Sequence, residues 1–325
     1  MRTGAAATHR GYFHEAVCYA SDDELVAVVV PFLRGGVEAG EPTVVALGEE
    51  HADLVRRALP ERSAVTFLSG GPMYERPAAA IRSYREMLAA YVSAGAHQIR
   101  IIGELPLVAL GNTWGAWARY ESAINHAYDD FPLWSMCAYD TRRTPRAVLD
   151  EVARTHPRHA LPGDRHVDSD RYEEPAVFLR ELRAPVPDPL QSGPPVVELA
   201  DPSPVTARRA LLAVDPGVLT PGELSDLILA VSEVVTNAVR HGVAPARLRM
   251  WIGADRVVVE INDGGLGPDN PYAGLLPAGD GLTGGLGLWL VHQLCDHVTL
   301  TRGEDGFSVR LTAGNPHEPP LAGSR

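Results

Sequence analysis

The hydrophobic positions in the first half of the chain form short continuous runs, separated by longer stretches with helical spacing. Runs that are apolar throughout are typical of strands covered on both faces of a parallel sheet. Four runs have this character, at residues 43–47, 64–68, 98–102 and 133–139. Helical spacing is found from the capping box of Ser21 and Glu24 onward and around 50–59, 77–94, 113–128 and 145–155. The alternation predicts a three-layer α/β domain with a parallel, Rossmann-like or RecA-like sheet over residues 9–160.

The pattern changes between residues 161 and 195, where hydrophobic periodicity gives way to proline. Residues 184–196 alone contain five prolines, which favour extended and semi-rigid chain over packed structure. We therefore predict a linker over 161–195, with one short helix within PAVFLRELR at 175–183.

The second half of the chain combines amphipathic helices with alternating strands. Helices are predicted to begin at Ser203–Pro204 and at the capping box of TPGE (220–223). Strands are predicted for VVEL, RLRMWIG and VVVEIND, and a helix follows near Gly287 before the closing hairpin HVTLTR–GEDG–FSVRLT. These elements predict a two-layer α/β sandwich over 196–313 and a flexible tail over 314–325.

Composition narrows the function classes. The 325 residues carry a net charge of −12 and no basic run, which argues against direct nucleic-acid binding. The three cysteines are far apart and odd in number, as expected in a reducing compartment. No secretory leader and no run of 18 apolar residues is present, so we expect a cytoplasmic protein without membrane contact. All 29 basic side chains are arginine, which excludes lysine-dependent motifs such as the P-loop.

The helix ending in SEVVTNAVRHG carries polar side chains opposite its apolar stripe. Glu233 and Asn237 are one turn apart, and Arg240 and His241 continue that side. Taken alone, this pattern is more typical of the solvated face of a surface helix than of a site.

Two glycine-rich stretches further along the chain change that interpretation. The first follows a strand and reads Asp263-x-Gly265-x-Gly267. A carboxylate at a strand end can accept a hydrogen bond from an exocyclic amine, and the glycines let the backbone approach a flat ring. The second stretch precedes an apolar helix, where exposed amides suit a phosphate. It comprises Thr283, Gly284, Gly285, Leu286 and Gly287.

The order and spacing of these three stretches resemble the N, G1 and G2 boxes of the Bergerat ATP-binding fold, and most closely its anti-sigma regulatory branch. The resemblance covers about residues 196–313. It implies that Asn237 holds Mg²⁺ on the ATP phosphates, that Glu233 acts as general base and that Asp263 recognises adenine. The remaining residues of the three boxes, with Arg240 and His241, would complete the ATP site.

Two departures from this family matter for function. The lid between the glycine boxes contains no basic residue and adds Asp269 and Asp280, which leaves nucleotide binding expected and efficient turnover open. No histidine lies in a two-helix dimerisation segment; the nearest candidate, His14-Glu15, precedes the first predicted strand. Autophosphorylation on histidine is therefore not expected.

The first domain offers a looser set of polar side chains near predicted strand ends, where open α/β sheets bind ligands. Its candidates for a sensory ligand site are His14, Cys18, Tyr19, Glu104, Tyr120, Glu121 and Cys137. Buried cysteines, satisfied tyrosines and a helix-capping glutamate explain the same residues without a site. A metal site is less favoured, because the spacing of His14 and the cysteines matches no compact zinc pattern.

Short fragments across residues 9–160 resemble the MEDS sensory domain, named from methanogens and methylotrophs. They are the His-x-x-x-Cys-Tyr start, PFLRGGVEAGEP, GELP, YESAIN, and CAYDTRRTP with a later THP. The resemblance implies an input domain for small, apolar organic ligands.

Together, these observations favour a signalling regulator with a serine-kinase-like output domain that uses ATP and Mg²⁺. Its expected partners are a sigma factor and an anti-sigma-factor antagonist, and a homodimer is compatible with the family. The alternative is a module that binds ATP and sequesters a partner without phosphoryl transfer. A metabolic enzyme is disfavoured, since the first domain shows no nucleophile–base pair.

Overall fold

The computed structural model describes residues 2–68, 74, 76–111, 113–181, 186–214, 217–277 and 286–314. The chain forms two compact units that divide after Leu179, with residues 76–78 counted in the second. In these described ranges, no helix has both the length and the apolar character needed to cross a membrane.

The first unit contains a seven-stranded sheet and its helices. The strands are β1 Phe13–Tyr19, β2 Thr43–Ala46, β3 Thr66–Phe67, β4 Ile99–Gly103, β5 Leu133–Asp140, β6 Arg158–Leu161 and β7 Arg165–Asp168. The helices are α1 Asp22–Glu38, α2 Glu49–Ala58, α3 Pro77–Ser93, α4 Trp114–Ala127, α5 Arg146–Thr155 and α6 Pro175–Phe178. Short 3₁₀ turns are found at Gly4–Ala6 and Leu107–Leu110.

The strand order is β3-β2-β4-β5-β1-β6-β7, and every neighbouring pair except β6–β7 is parallel. The predicted parallel α/β architecture is therefore confirmed. The sequence analysis missed β1, however, and placed His14 before the first strand. His14 and Glu15 interrupt the apolar pattern of FHEAVCY, yet both side chains are fully buried in the sheet.

The two faces of this sheet differ in chemistry. Phe13, Val17 and Tyr19 of β1 face a hydrophobic core shared with α1 and α2. The alternate positions point to the opposite face, where His14 and Cys137 meet the side chains of α4. One face therefore provides the apolar core, and the other carries the group around His14 and Cys137 that is considered below.

The segment predicted as a linker contains regular structure. Arg165–Asp168 pairs antiparallel with β6, across a turn in which Asp164 and Gly163 adopt positive φ angles of 56° and 82°. Its pattern, Arg-His-Val-Asp, has the polar character of an exposed edge strand, so it gives little hydrophobic signal. The packed chain of the first unit thus extends past residue 161.

The second unit is a sheet of five antiparallel strands in the order β11-β12-β10-β9-β8. The strands are β8 Val197–Ala200, β9 Arg247–Ile252, β10 Val257–Asp263, β11 His297–Gly303 and β12 Gly306–Ala313. The helices are α7 Pro204–Ala213, α8 Pro221–His241 and α9 Leu286–Leu294. Helices and sheet share one hydrophobic core, so the predicted α/β sandwich is confirmed.

The C-terminal part of the proline-rich segment belongs to this second unit. Pro189–Ser192 forms a 3₁₀ turn, capped by Asp188. Both carboxylate oxygens of Asp188 accept hydrogen bonds of 2.9 Å from Arg256, and the two side chains are 1% and 6% exposed. In addition, the side-chain amide of Gln191 donates a hydrogen bond to Glu260 of β10. Residues 188–192 are thus docked on the sheet.

Candidate functional site

Helix α8 positions the first two candidate residues of the second unit. It begins at a complete capping box formed by Thr220 and Glu223, and its stripe of Leu227, Val231 and Val235 is fully buried. This packing fixes the rotation of the helix. Glu233 and Asn237 therefore point away from the sheet, yet they are half-buried rather than fully solvated.

The start of α9 covers these two side chains. A β-carbon added at Gly287 would lie 3.0 Å from a carboxylate oxygen of Glu233 and 3.4 Å from the amide nitrogen of Asn237. A larger residue at Gly287 would press on both side chains. The amide-rich first turn of α9 thus lies next to one carboxylate and one carboxamide, an arrangement suited to an anion with a bound cation.

Asp263 is the last residue of β10 and adds a further carboxylate to the site that includes Glu233 and Asn237. It is only 7% exposed. Its Oδ1 accepts backbone N–H groups from Gly265 at 2.7 Å and Val243 at 3.2 Å. These bonds fix the plane of the carboxylate. Within the described chain, Oδ2 accepts no hydrogen bond, so it is available to an N–H donor of a ligand.

Close backbone packing around Asp263 explains two of the predicted glycines. A β-carbon at Gly265 would lie 2.7 Å from Asp263 Oδ1. Gly267 adopts a φ of +70° and packs against the ring of Phe307. Larger residues at either position would displace the carboxylate or the loop that carries it.

Other predicted residues of this site lie further out. Arg240 and His241 are exposed at the end of α8, and Leu286 is exposed as the first residue of α9. Thr283, Gly284, Gly285 and Asp280 lie outside the described residues. The assignment of Thr283, Gly284 and Gly285 to the ATP site stays a prediction, and Asp280 was expected only as part of the acidic lid.

In the first unit, three of the predicted residues come together between the sheet and α4. His14 Nε2 lies 3.4 Å from the thiol of Cys137, and this thiol lies 3.7 Å from Glu121 Oε2. The sequence analysis did not predict the fourth member, His156, whose Nε2 lies 3.5 Å from the same carboxylate oxygen. It follows α5 directly, and only the THP fragment pointed towards it.

Burial sets the charge state of this cluster. It raises the pKa of Glu121 to about 7 and raises that of Cys137 well above its usual range. It also lowers the pKa of His14 to about 4 and that of His156 well below its ordinary value. Both imidazoles are therefore neutral at neutral pH, with one lone pair each.

Tyr19 and Glu104 lie in a separate group at the C-terminal ends of β1 and β4. Glu104 accepts hydrogen bonds from Gly48 N at 3.0 Å and from His51 Nδ1 at 2.8 Å. The hydroxyl of Tyr19 lies 3.2 Å from His51 Nε2. The predicted convergence of His14, Cys18, Glu104 and Cys137 on one edge is thus not observed, and His51 is a member that the sequence pattern did not indicate.

The remaining two residues take different places. Cys18 follows the alternation of His14 along β1 but is exposed. Tyr120 lines a small cavity of about 30 Å³, which Cys137 also borders. Four further tyrosines share this lining: Tyr12, Tyr74, Tyr84 and Tyr128.

The fold and the site geometry of the second unit define an α/β sandwich of the Bergerat type. Sequence comparison agrees, because residues 200–313 match the family model of the histidine kinase-like ATPase domain. Residues 13–157 match the model of the methanogen/methylotroph, DcmR sensory (MEDS) domain. The chain therefore combines a MEDS sensory domain with a histidine kinase-like ATPase domain, and the resemblance to these two families is confirmed. The closer likeness to the anti-sigma branch stays a prediction. This combination is that of a signalling regulator.

Comparison with solved structures gives the histidine kinase domain of the E. coli osmosensor EnvZ, determined by NMR. It is 19% identical over 41% of this chain and 97% of that chain, with a TM-score of 0.24. No curated protein sequence matches this chain significantly.

The His51–Glu104 pair leads to a pH-dependent prediction. The hydrogen bond to Glu104 raises the pKa of His51, so the pair stabilises the folded state when the imidazole is protonated. This stabilisation is complete below the unfolded histidine pKa of roughly 6.5. It is lost as the pH rises through the higher pKa of folded His51. We expect Glu104→Gln to lower the free energy of unfolding by about 1–2 kcal/mol near pH 6.

Chemical denaturation at several pH values measures this loss, which should shrink towards about pH 9 as the imidazole deprotonates. Glu50→Gln is the matched control, because Glu50 is exposed beside the pair. A loss at Glu104 that is independent of pH would contradict the assignment.

Proposed function

We propose that this protein is a cytoplasmic regulator in which the sensory unit controls an ATP-binding output unit of the anti-sigma, serine-kinase type. The main support is the placement of Glu233 and Asn237 against the first turn of α9. The polar side chains of a solvated surface helix would not be covered by the start of another helix in this way.

The residues of the site fit ATP with Mg²⁺. Asn237 offers a carboxamide oxygen, a hard ligand of the kind that Mg²⁺ takes alongside phosphate oxygens. The Glu233 carboxylate is the base that would receive a proton from an attacking serine hydroxyl or water. The fixed carboxylate of Asp263 would accept, through Oδ2, a hydrogen bond from the amino group of adenine. Phosphoryl transfer depends mostly on positioning and charge neutralisation, so these few groups suffice.

The adenine role of Asp263 is tested by Asp263→Asn. The new amide keeps an oxygen for the N–H groups of Gly265 and Val243, and it then presents N–H instead of an acceptor to the ligand. We expect ATP and ADP affinity to fall roughly 5- to 150-fold, the equivalent of about 1–3 kcal/mol for an unpaired polar group.

Calorimetric titration of full-length protein with Mg²⁺ and nucleotide measures this effect. Asp305→Asn is the control, because it removes the same charge from an exposed turn. Equal affinities for wild type and Asp263→Asn would rule out the adenine assignment.

Candidate partners follow from the anti-sigma branch. We propose a sigma factor as the sequestered protein and an anti-sigma-factor antagonist whose serine receives the phosphate. The alternative, sequestration without phosphoryl transfer, draws on one observation: the lid sequence has no cation to neutralise developing charge, and its Asp269 is exposed. Incubation with ATP and candidate antagonists, followed by phosphosite mapping, separates the two functions.

For the sensory unit, we propose a small organic ligand in the tyrosine-lined cavity. About 30 Å³ accommodates roughly two non-hydrogen atoms by the space one water needs. The rings of the lining tyrosines supply apolar surface, and their hydroxyls can make polar contacts. This size and chemistry favour one- or two-carbon compounds with a polar end.

Sensing requires that the ligand changes partner affinity and that the partner changes ligand affinity by the same factor, typically about 5- to 150-fold. Titrating one- and two-carbon alcohols and aldehydes with and without partner measures both factors. Gly103→Ala is the blocking variant, since its β-carbon would lie 2.6 Å from the hydroxyl of Tyr74. A response in Gly103→Ala equal to wild type would remove the cavity from the sensing mechanism.

A further inference from the structure

The buried cluster in the sensory unit has the composition and spacing of a metal site. One ligand atom from each of His14, Glu121, Cys137 and His156 lies within 4.8 Å of the other three. The four residues come from β1, α4, β5 and the position after α5. The side chains of His14, Glu121 and His156 are each no more than 1% exposed, whereas Cys137 is partly exposed.

Four of the six ligand-to-ligand distances are close to the edges of a coordination tetrahedron, and the other two are no longer than 4.8 Å. Zinc bonds of about 2.0–2.3 Å to nitrogen, oxygen and sulfur give ligand-to-ligand separations of roughly 3.3–3.7 Å. The Glu121 Oε2 atom lies 3.5 Å from His156 Nε2, 3.7 Å from Cys137 Sγ and 3.8 Å from His14 Nε2. The His14–Cys137 separation is 3.4 Å. A tetrahedral cation would therefore fit these four distances and would draw the remaining two pairs together by up to about 1 Å.

Surrounding hydrogen bonds fix both histidine rings for coordination. His14 Nδ1 lies 2.9 Å from Asn125 Oδ1, and the amide nitrogen of Asn125 is committed to backbone carbonyls such as Thr155 O. Nδ1 of His14 must therefore carry the proton. His156 Nδ1 lies 2.9 Å from the carbonyl of Val152 and donates likewise. Each ring thus directs the lone pair of Nε2 into the cluster, which is how protein metal sites orient histidine.

One of these lone pairs has no hydrogen-bond partner. Among the described residues, His156 Nε2 is buried and makes no hydrogen bond. A buried nitrogen without a hydrogen-bond partner destabilises the fold, and a bound cation would satisfy it. On the other side, the hydroxyl of Tyr139 donates to Glu121 Oε1 at 3.0 Å, which leaves Oε2 directed at the other three ligands.

We propose that His14, Glu121, Cys137 and His156 bind one divalent transition-metal ion of the zinc class in a closed tetrahedral site. Coordination releases the thiol proton of Cys137 and leaves Glu121 ionised, so that two anionic and two neutral ligands cancel the charge of the cation. The buried group is then neutral overall, which avoids the cost of an isolated buried charge. Nitrogen and sulfur ligands select zinc-class ions over Mg²⁺ or Ca²⁺.

Sequence spacing did not indicate this site because its ligands are not close in the chain. The expected zinc patterns pair ligands a few residues apart, whereas here each element contributes one. Cys18, which the sequence grouped with His14, does not belong to the site and is exposed. It provides a matched control on the same strand.

The experiment uses untagged full-length protein, stripped with a chelator and then reconstituted. With Zn²⁺, elemental analysis after gel filtration should give one ion per chain. With Co²⁺, the absorption spectrum should show tetrahedral ligand-field bands and a thiolate charge-transfer band. Cys137→Ser should lose the charge-transfer band, and His156→Gln should weaken zinc binding at least tenfold. Cys18→Ser should match wild type.

Three results would overturn the proposal. The first is that folded wild-type protein takes up no stoichiometric zinc or cobalt; this test requires no variant. The second is a charge-transfer band that survives in Cys137→Ser or disappears in Cys18→Ser. The third is binding of Mg²⁺ or Ca²⁺ in preference to zinc. Circular dichroism of each variant establishes that lost binding does not result from unfolding.

Discussion

Replacing Asp188 by alanine should lower the free energy of unfolding of the ATPase unit by about 3–5 kcal/mol, because it leaves a buried guanidinium without its buried carboxylate and with only the exposed Asp255 beside it. The two hydrogen bonds from Arg256 are bidentate, and Asp188 also accepts the N–H of Leu190. Substitution therefore removes a cap and an ion pair together. The effect is a large share of the 5–15 kcal/mol that typically stabilises a domain.

Asp255→Ala is the control, since Asp255 contacts the same guanidinium from an exposed position. Exposed pairs contribute about 1 kcal/mol or less. Urea unfolding of both variants, followed by far-ultraviolet circular dichroism, measures the difference. If the two aspartates gave equal losses, residues 188–192 would not be an integral part of the ATPase unit.

Glu233→Gln should slow phosphoryl transfer by roughly 10²- to 10⁴-fold, the usual contribution of a positioned general base. The amide has nearly the same shape and cannot accept the proton, so ATP affinity should stay within about threefold of wild type. Asn237→Ala should behave differently, because losing the metal ligand removes the Mg²⁺ dependence of ATP binding. The two residues, one turn apart on α8, are thus separated by role.

Transfer of radiolabelled phosphate from ATP to an antagonist protein measures the first effect, and calorimetry with and without Mg²⁺ measures the second. Asp226→Asn, two turns before Glu233 on the same helix, controls for loss of charge. If Glu233→Gln and Asn237→Ala both transferred phosphate at the wild-type rate, the kinase assignment would be wrong and sequestration would be favoured.

The sequence predicted the fold well where hydrophobicity alone decides it. The four apolar runs of the first unit correspond to β2–β5. These strands were recognisable because strands covered on both faces are apolar throughout. The edge strand β7 and the central strand β1 were missed for opposite reasons. Arg165–Asp168 is too polar to signal a strand, whereas His14 and Glu15 are polar residues that tertiary contacts satisfy inside the sheet.

The candidate sites differ in the same way. Glu233, Asn237 and Asp263 belong to local motifs, so their geometry follows from helix spacing and the end of one strand. The cluster proposed to bind a metal depends on tertiary contacts instead. Cys137 lies near His14 because of the β1–β5 register, and His156 directly follows α5. Glu104 instead pairs with His51 on α2, a neighbour that strand-end reasoning does not identify.

The central position of β1 has a consequence for how the sensory unit folds during synthesis. Its neighbours β5 and β6 begin 120 and 145 positions later in the chain. At translation rates of about 5–20 residues per second, β1 waits roughly 7–30 s for its second neighbour to be made. Until β5 is made, β1 has neither edge paired, and its second edge stays unpaired until β6 follows. Unpaired strand edges are a condition under which nascent chains aggregate or recruit chaperones. Efficient production of this protein should therefore depend on translation speed and chaperone capacity more than its final stability would indicate.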